Sequence, residues 1–198
     1  MEDLKFDHKT HSYTLGGKCV PSVSAILRGA GLVDFSGIDR TVLARASTFG
    51  TAVHRACELD DKKDLDESVL SEHLVPYLLA WRNFMEQTGF KVLESETPVG
   101  SKKWGYAGTP DRVGTIKGQL TIVDLKTNAV MRPECALQIA GYKIAYEEMR
   151  GEKVKKRIAV HLKPDGKYAL HCYADQMDET VFMSAVNIYK FKNKGGKR

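Results

Sequence analysis

Apolar residues along this chain recur with two periods, and the switches between them mark the elements. From Leu4 to Cys19 the period is two. Phe6, Tyr13 and Leu15 take strand positions and Gly16-Gly17 is a turn signal, which predicts a small β-hairpin. Pro21-Ser22 opens a short helix through Val23, Ile26 and Leu27, closed by Gly29 and Gly31. A longer helix is expected from Ile38 to about Asp60, burying Ile38, Val42, Phe49, Val53 and Cys57. Beside that stripe runs a row of small residues, Ala46, Ser47, Gly50 and Thr51, ending in His54. A glycine inside a helix costs about 1 kcal/mol against alanine, so Gly50 implies the close approach of another backbone, of protein or of nucleic acid.

After a charged connection over Asp60–Asp66, Leu70, Leu74, Leu78, Trp81 and Phe84 predict a second helix, Glu67 to Thr88, kinked or broken at Pro76. Phe90 to Val99 reads as a strand with Val92, Glu94 and Glu96 on one face. Arg112 to Ile116 is a short strand, and Lys117-Gly118-Gln119 turns the chain back into Thr121-Ile122-Val123, a β-branched run that continues into Asp124-Leu125-Lys126-Thr127. Pro133 suits the start of a helix over Glu134 to Met149, with Leu137, Gly141, Ile144 and Ala145 toward the sheet and Gln138 and Tyr142 on a neighbouring face. Arg157–Lys163 and Lys167–Ala174 form a hairpin around Pro164-Asp165-Gly166, and a helix from Gln176 to about Phe191 closes the chain. With no internal repeat and no linker-like stretch, the expectation is one domain over residues 1–198, with 1–35 as an N-terminal hairpin and short helix.

Composition changes this picture little. Hydrophobic content of 42% and charged content of 28% are ordinary for a globular chain, and the net charge of +5 leans toward an anionic partner. The basic residues are scattered except at Lys190–Arg198, a tail that is either a solvated end or a track for a phosphate backbone. Four dispersed cysteines lack any zinc or iron–sulfur spacing; no secretory leader or bilayer-length apolar run is evident, so a cytoplasmic, reduced protein without a membrane partner is expected. The chemistry concentrates at one place. On a strand, Asp124 and Lys126 point to the same side and Leu125 to the other. A hairpin as short as this one brings Asp111, at the head of its first strand, close to Asp124. Two carboxylates and a lysine converging at a sheet edge suit a divalent metal and a phosphodiester. One glutamate of the preceding strand should reach the same place, and Glu96 is favoured over Glu94 because it lies nearer the strand's end. The plainer alternative is a surface Asp–Lys ion pair worth at most ~1 kcal/mol.

Taken together, His54 on a helix, then Asp111, then Asp124-Leu125-Lys126, then Gln138 and Tyr142 one turn apart, resemble the PD-(D/E)XK nuclease superfamily in its RecB-like and viral exonuclease branch. The resemblance runs from about Gly50 to Tyr146. Tyr13 to Gly17 and Val20 to Leu27 are also similar to small phage-encoded members. It implies an α/β (α+β), restriction-endonuclease-like core: a central mixed β-sheet flanked by helices. It implies Mg²⁺ or Mn²⁺ as cofactor, held by Asp111, Asp124, the Leu125 carbonyl and His54, with Glu96 as a further candidate. Lys126 would orient or activate the attacking water, as a proton shuttle or as a fixed charge. Gln138 and Tyr142 would contact DNA, and Tyr142 could stack on a base; Gly50 and Thr127 are further candidates for DNA contact. The clustered cysteines that bind an iron–sulfur cluster in some relatives are missing, so no such cluster is expected. Helicase motifs are missing as well, so any unwinding would come from a partner recombination or helicase protein. The function so implied is metal-dependent exonucleolysis of linear DNA ends in phage or prophage recombination or replication. A structure-specific endonuclease and a catalytically idle DNA-binding module are the alternatives.

Overall fold

The computed structural model describes residues 3–194. Its N-terminal segment forms three strands rather than one hairpin: β1 (Leu4–Asp7), β2 (Ser12–Leu15) and β3 (Lys18–Val20), antiparallel in that order. Two turns are needed, and the second uses Gly16-Gly17, both at positive φ as the turn signal requires. Ser22 caps α1 (Val23–Ala30) by accepting a hydrogen bond from the Ala25 amide at 3.0 Å, and Gly31 ends it in the left-handed conformation.

Asp39 caps α2, which runs Arg40–Asp61 rather than from Ile38. Only its second half is buried, through Val53, Ala56 and Cys57, while Val42 is 56% exposed. The apolar spacing forecast a helix correctly but could not say that its first turns have nothing to pack on. The next expected helix is broken rather than kinked: a short 3-10 turn at Glu67–Val69 precedes α3 (Val75–Thr88), with Pro76 in its first turn. Trp81 and Phe84 are fully buried. The expected Phe90–Val99 strand also divides, into β4 (Lys91–Ser95) and β5 (Val99–Ser101), with Glu96 at φ +49° in the break. β5 pairs with β6 (Tyr106–Gly108), a short strand that glycine-rich sequence had concealed.

β7 (Arg112–Ile116) and β8 (Gln119–Lys126) form the expected hairpin, followed by α4 (Glu134–Arg150), β9 (Lys156–Leu162), β10 (Tyr168–Cys172) and α5 (Met177–Asn193). The larger sheet has the order β10-β9-β8-β7-β4, antiparallel except where α4 carries the chain across to make β8 and β9 parallel. Its faces are covered differently. Ile122 and Ala159 join α1, α4 and α5 in one apolar cluster; Val123, Leu125 and Val160 join α2 and α3 in the other. This is the mixed sheet flanked by helices that the motifs implied. The phase of α4 is corrected in part: Gly141 and Ala145 are buried as expected, but Ile139 and Ala140 join them while Leu137 and Ile144 are only partly covered; α5 buries Phe182, Ala185 and Val186 and leaves Val181 and Ile188 exposed. Lys190–Asn193 belong to α5 rather than to a tail, and residues 195–198 of the expected basic tail lie outside the described residues.

Candidate active site

The register of the central hairpin creates the site. Arg112 pairs with Val123, so β7 ends while β8 continues through Asp124, Leu125 and Lys126. Beyond that step the Leu125 backbone has no strand partner on the β7 side, and side chains replace it. The Leu125 amide donates to Asp111 Oδ2 at 2.6 Å, and its carbonyl lies 3.1 Å from His54 Nε2. Asp111 therefore reaches the strand next to Asp124, as the hairpin reading expected. His54 Nδ1 is 3.3 Å from Asp111 Oδ1 and 3.9 Å from Glu96 Oε1. Among the described residues, His54, Glu96 and Asp111 bring ligand atoms within 4.8 Å of one another.

Asp124 stands apart from that trio. It shares a face with Lys126, whose Nζ is 2.5 Å from Asp124 Oδ2. The ammonium approaches at an angle that makes no hydrogen bond, and both Asp124 oxygens are buried without a hydrogen-bonding partner. Lys126 instead donates to Gln138 Oε1 at 3.1 Å, and Gln138 Nε2 donates to the Tyr142 hydroxyl at 2.8 Å. Gln138 and Tyr142 thus sit one turn apart on α4, but they brace the lysine. Tyr142 is only 6% exposed and packs in the cluster with Val23 and Ile139, so it has no open face for a base to stack on. The spacing that placed it one turn from Gln138 was right. What spacing could not show is that α1 covers its ring. Gly50 and Thr127 meet each other: a Cβ on Gly50 would lie 3.4 Å from Thr127 Oγ1, so the close approach is to protein.

The electrostatics follow from burial. Burial pushes the Asp124 carboxyl up, only partly offset by Lys126 and reinforced by Asp111, to about 6. Burial and the neighbouring Asp111 push Glu96 up to about 8. Burial also works to raise Asp111, but adjacent His54 and Lys126 win and hold it below the usual carboxylate range. His54 resists the downward effect of its burial, because Asp111 and Glu96 raise its pKa above the ordinary imidazole value. Facing two acceptors, a carbonyl and a carboxylate, its ring is best satisfied doubly protonated.

Two residues that sequence reasoning passed over hold this frame. Arg112, fully buried, pairs with Asp61 near the end of α2, donates to the Asp111 carbonyl at 2.6 Å and lies 3.5 Å from Glu96. Asp61 also accepts from Trp81 Nε1 at 2.8 Å. The available signal was a charge inside an apolar strand, which demands a buried counter-ion. His54, Glu96, Asp111, Gln138 and Tyr142 line a cleft of about 760 Å³, together with Phe6, His8, His11 and Tyr13 of the N-terminal sheet.

The donors suit a hard divalent cation. Carboxylates dominate, an imidazole adds one nitrogen, and the Asp124 oxygens, which accept no hydrogen bond among the described residues, are what a cation would satisfy. Sequence comparison agrees with this architecture: a family profile described as the PD-(D/E)XK nuclease superfamily matches residues 27–182. The chain belongs to the PD-(D/E)XK nuclease superfamily, and so to a class of hydrolytic nucleases that act on DNA with divalent metals. No curated protein matches the sequence. Among solved structures, LHK-Exo in complex with dAMP matches at 13% identity and a TM-score of 0.49, over 88% of each chain. The alkaline exonuclease LHK-Exo from Laribacter hongkongensis matches at 15% identity and a TM-score of 0.39, over 87% of this chain and 92% of that one. A candidate exonuclease from Eubacterium rectale matches at 10% and 0.45, over 75% of this chain and 68% of its own. At such values these likenesses carry no weight for the activity. No helix among the described residues is long and apolar enough to cross a membrane.

Proposed function

We propose that this protein is a Mg²⁺- or Mn²⁺-dependent DNA exonuclease that hydrolyses phosphodiester bonds from linear ends, serving phage or prophage recombination or replication. The observation that carries the hydrolytic part is the buried Asp124 carboxylate, without a hydrogen bond, beside Lys126 and across the strand end from Asp111. Its end-directed part rests on the resemblance of the motifs to RecB-like and viral exonuclease domains. Asp111, Asp124, the Leu125 carbonyl and His54 would hold the cation, with Glu96 in reach of the same place. When bound, the cation supplies charge to polarise the phosphate and to lower the pKa of a coordinated water.

The chain's own residues do the remaining work. Lys126, kept protonated by Asp124 and aimed by Gln138, places a fixed positive charge where negative charge grows on the phosphate. Its strongly raised pKa favours this role over that of a proton shuttle. Tyr142 orients Gln138 from below. To become a ligand beside Asp111 and Glu96, His54 must surrender its Nδ1 proton while Nε2 can keep the Leu125 carbonyl, so cation uptake releases a proton.

The test is a time course on end-labelled linear and covalently closed circular DNA, single- and double-stranded, with Mg²⁺, Mn²⁺ or EDTA. Loss of linear DNA with a divalent cation, persistence of circles and silence in EDTA are expected. Cutting of closed circles at a comparable rate would replace this reading with an endonuclease.

A further inference from the structure

One feature of the cleft has no part in phosphodiester hydrolysis. The turn from β1 to β2 and its flanks gather three rings around a fourth, that of Phe6. The Phe6 and Tyr13 rings stack at 4.7 Å with 29° between planes; the His8 and His11 imidazoles stand edge-on to Phe6 at 4.6 and 5.1 Å. The turn is built for this presentation. Asp7 Oδ1 accepts from the Lys9 amide at 2.8 Å, and His11 adopts a left-handed φ of +51°, which few side chains tolerate. Only Tyr13 is buried; Phe6 is half-buried, and His8 and His11 are exposed although all of them line the cleft. A cluster made for packing would cover its rings. This one covers its base and leaves the upper rings to solvent.

Tyr13 also links the cluster to the chemistry. Its hydroxyl bonds Thr109 Oγ1 at 2.8 Å, two residues before Asp111. The rings are therefore fixed relative to the carboxylates. The same cleft is lined by Arg55 and Lys62, whose charges are shared with Glu58 at 2.7 and 2.5 Å. Flat rings and cations lining one cleft match a nucleotide strand, with bases to the rings and backbone to the cations. A base-paired strand hides its base faces in the stack, so open rings in a cleft suit an unpaired base.

We propose that Phe6, His8 and His11 form a stacking subsite for an unpaired nucleobase of the strand entering the cleft, so that the preferred substrate is a single-stranded end or overhang. The inference rests on the nuclease reading of the neighbouring carboxylates and names the substrate class that this site takes.

The Lys126→Ala protein with Mg²⁺ keeps DNA intact for binding. Single-stranded oligonucleotides carrying either 2-aminopurine or abasic residues at their last three positions are titrated into it. The same titration is made with Phe6→Leu, which retains apolar bulk without a π face, and with His8→Ala, which alters only an exposed side chain. Stacking predicts about tenfold tighter binding of the base-containing end, quenched 2-aminopurine fluorescence, and loss of most of that preference in both variants. Equal affinity for base-containing and abasic ends overturns the subsite, as does a preference that both variants keep, or tighter binding of blunt duplex ends. A p-nitrophenyl ester of thymidine 5′-phosphate separates the two readings. Its hydrolysis by the wild-type protein without any base preference removes the stacking subsite alone, whereas hydrolysis of no phosphodiester at all removes the nuclease reading itself.

Discussion

Asp124 and Lys126 show how far single residues can be read. Their shared face was legible because strand periodicity fixes direction. Glu96 was reached by the same rule but arrives differently. The strand stops at Ser95, and a left-handed φ turns Glu96 toward His54, which no periodicity encodes. Lys126→Ala is expected to lower the cleavage rate by at least about a hundredfold while leaving the affinity for DNA within a few-fold, measured by gel assay and anisotropy. Cleavage at the wild-type rate would remove Lys126 from the mechanism. The pKa shifts also give a sign. Glu96, raised to about 8, and Asp124, raised to about 6, hold protons in the folded, metal-free protein that the unfolded chain has released. His54, also raised, adds stability that is present at low pH and lost as pH climbs through its folded value. All three act alike, and depressed Asp111 opposes them only below about pH 4, where an unfolded aspartate titrates. In EDTA, Tm should therefore fall between about pH 5 and pH 8, and Glu96→Gln should flatten the slope. A rising Tm over that window contradicts the protonation states assigned here.

At the level of elements, existence was legible except for β6 and one strand of the N-terminal sheet, and extent was not. The β7–β8 and β9–β10 hairpins follow their turn residues closely, and α4 keeps its expected bounds though not its whole expected face. The failures share a cause: what packs against an element decides where it ends. Among the described residues little covers the first turns of α2, and a proline starts α3 late. Gly114 marks a close contact hidden from sequence. It faces the bulged stretch of β4, where a Cβ would collide with the Lys91 carbonyl and lie 2.6 Å from the Phe90 ring. Gly114→Ala should cost about 2–4 kcal/mol in urea denaturation, because backbone, not a flexible side chain, must give way. A loss below about 0.5 kcal/mol would mean that β4 is not held as closely as described.

On the scale of the whole molecule, the site is a meeting of distant segments: α2 brings His54, the link after β4 brings Glu96, and the central hairpin brings the aspartates. A cation bound there joins them only in the folded state, so Mg²⁺ or Mn²⁺ should raise Tm, by linkage, several degrees above the value in EDTA. In Asp124→Asn the increase should shrink strongly, and the metal-free Tm should itself fall, since the buried Lys126 ammonium loses its counter-ion. Equal shifts in both proteins would place the cation elsewhere. The step at the end of β8 has one more consequence, visible to isotopes. The Leu125 amide is held by a carboxylate from the bend before β7 instead of by a ladder carbonyl. It is a clock for the integrity of the site. In the wild-type protein it should exchange with deuterium as slowly as Ile122 in the same strand. In Asp111→Ala the Leu125 clock alone should run fast, while Ile122, paired with Val113, keeps its old time.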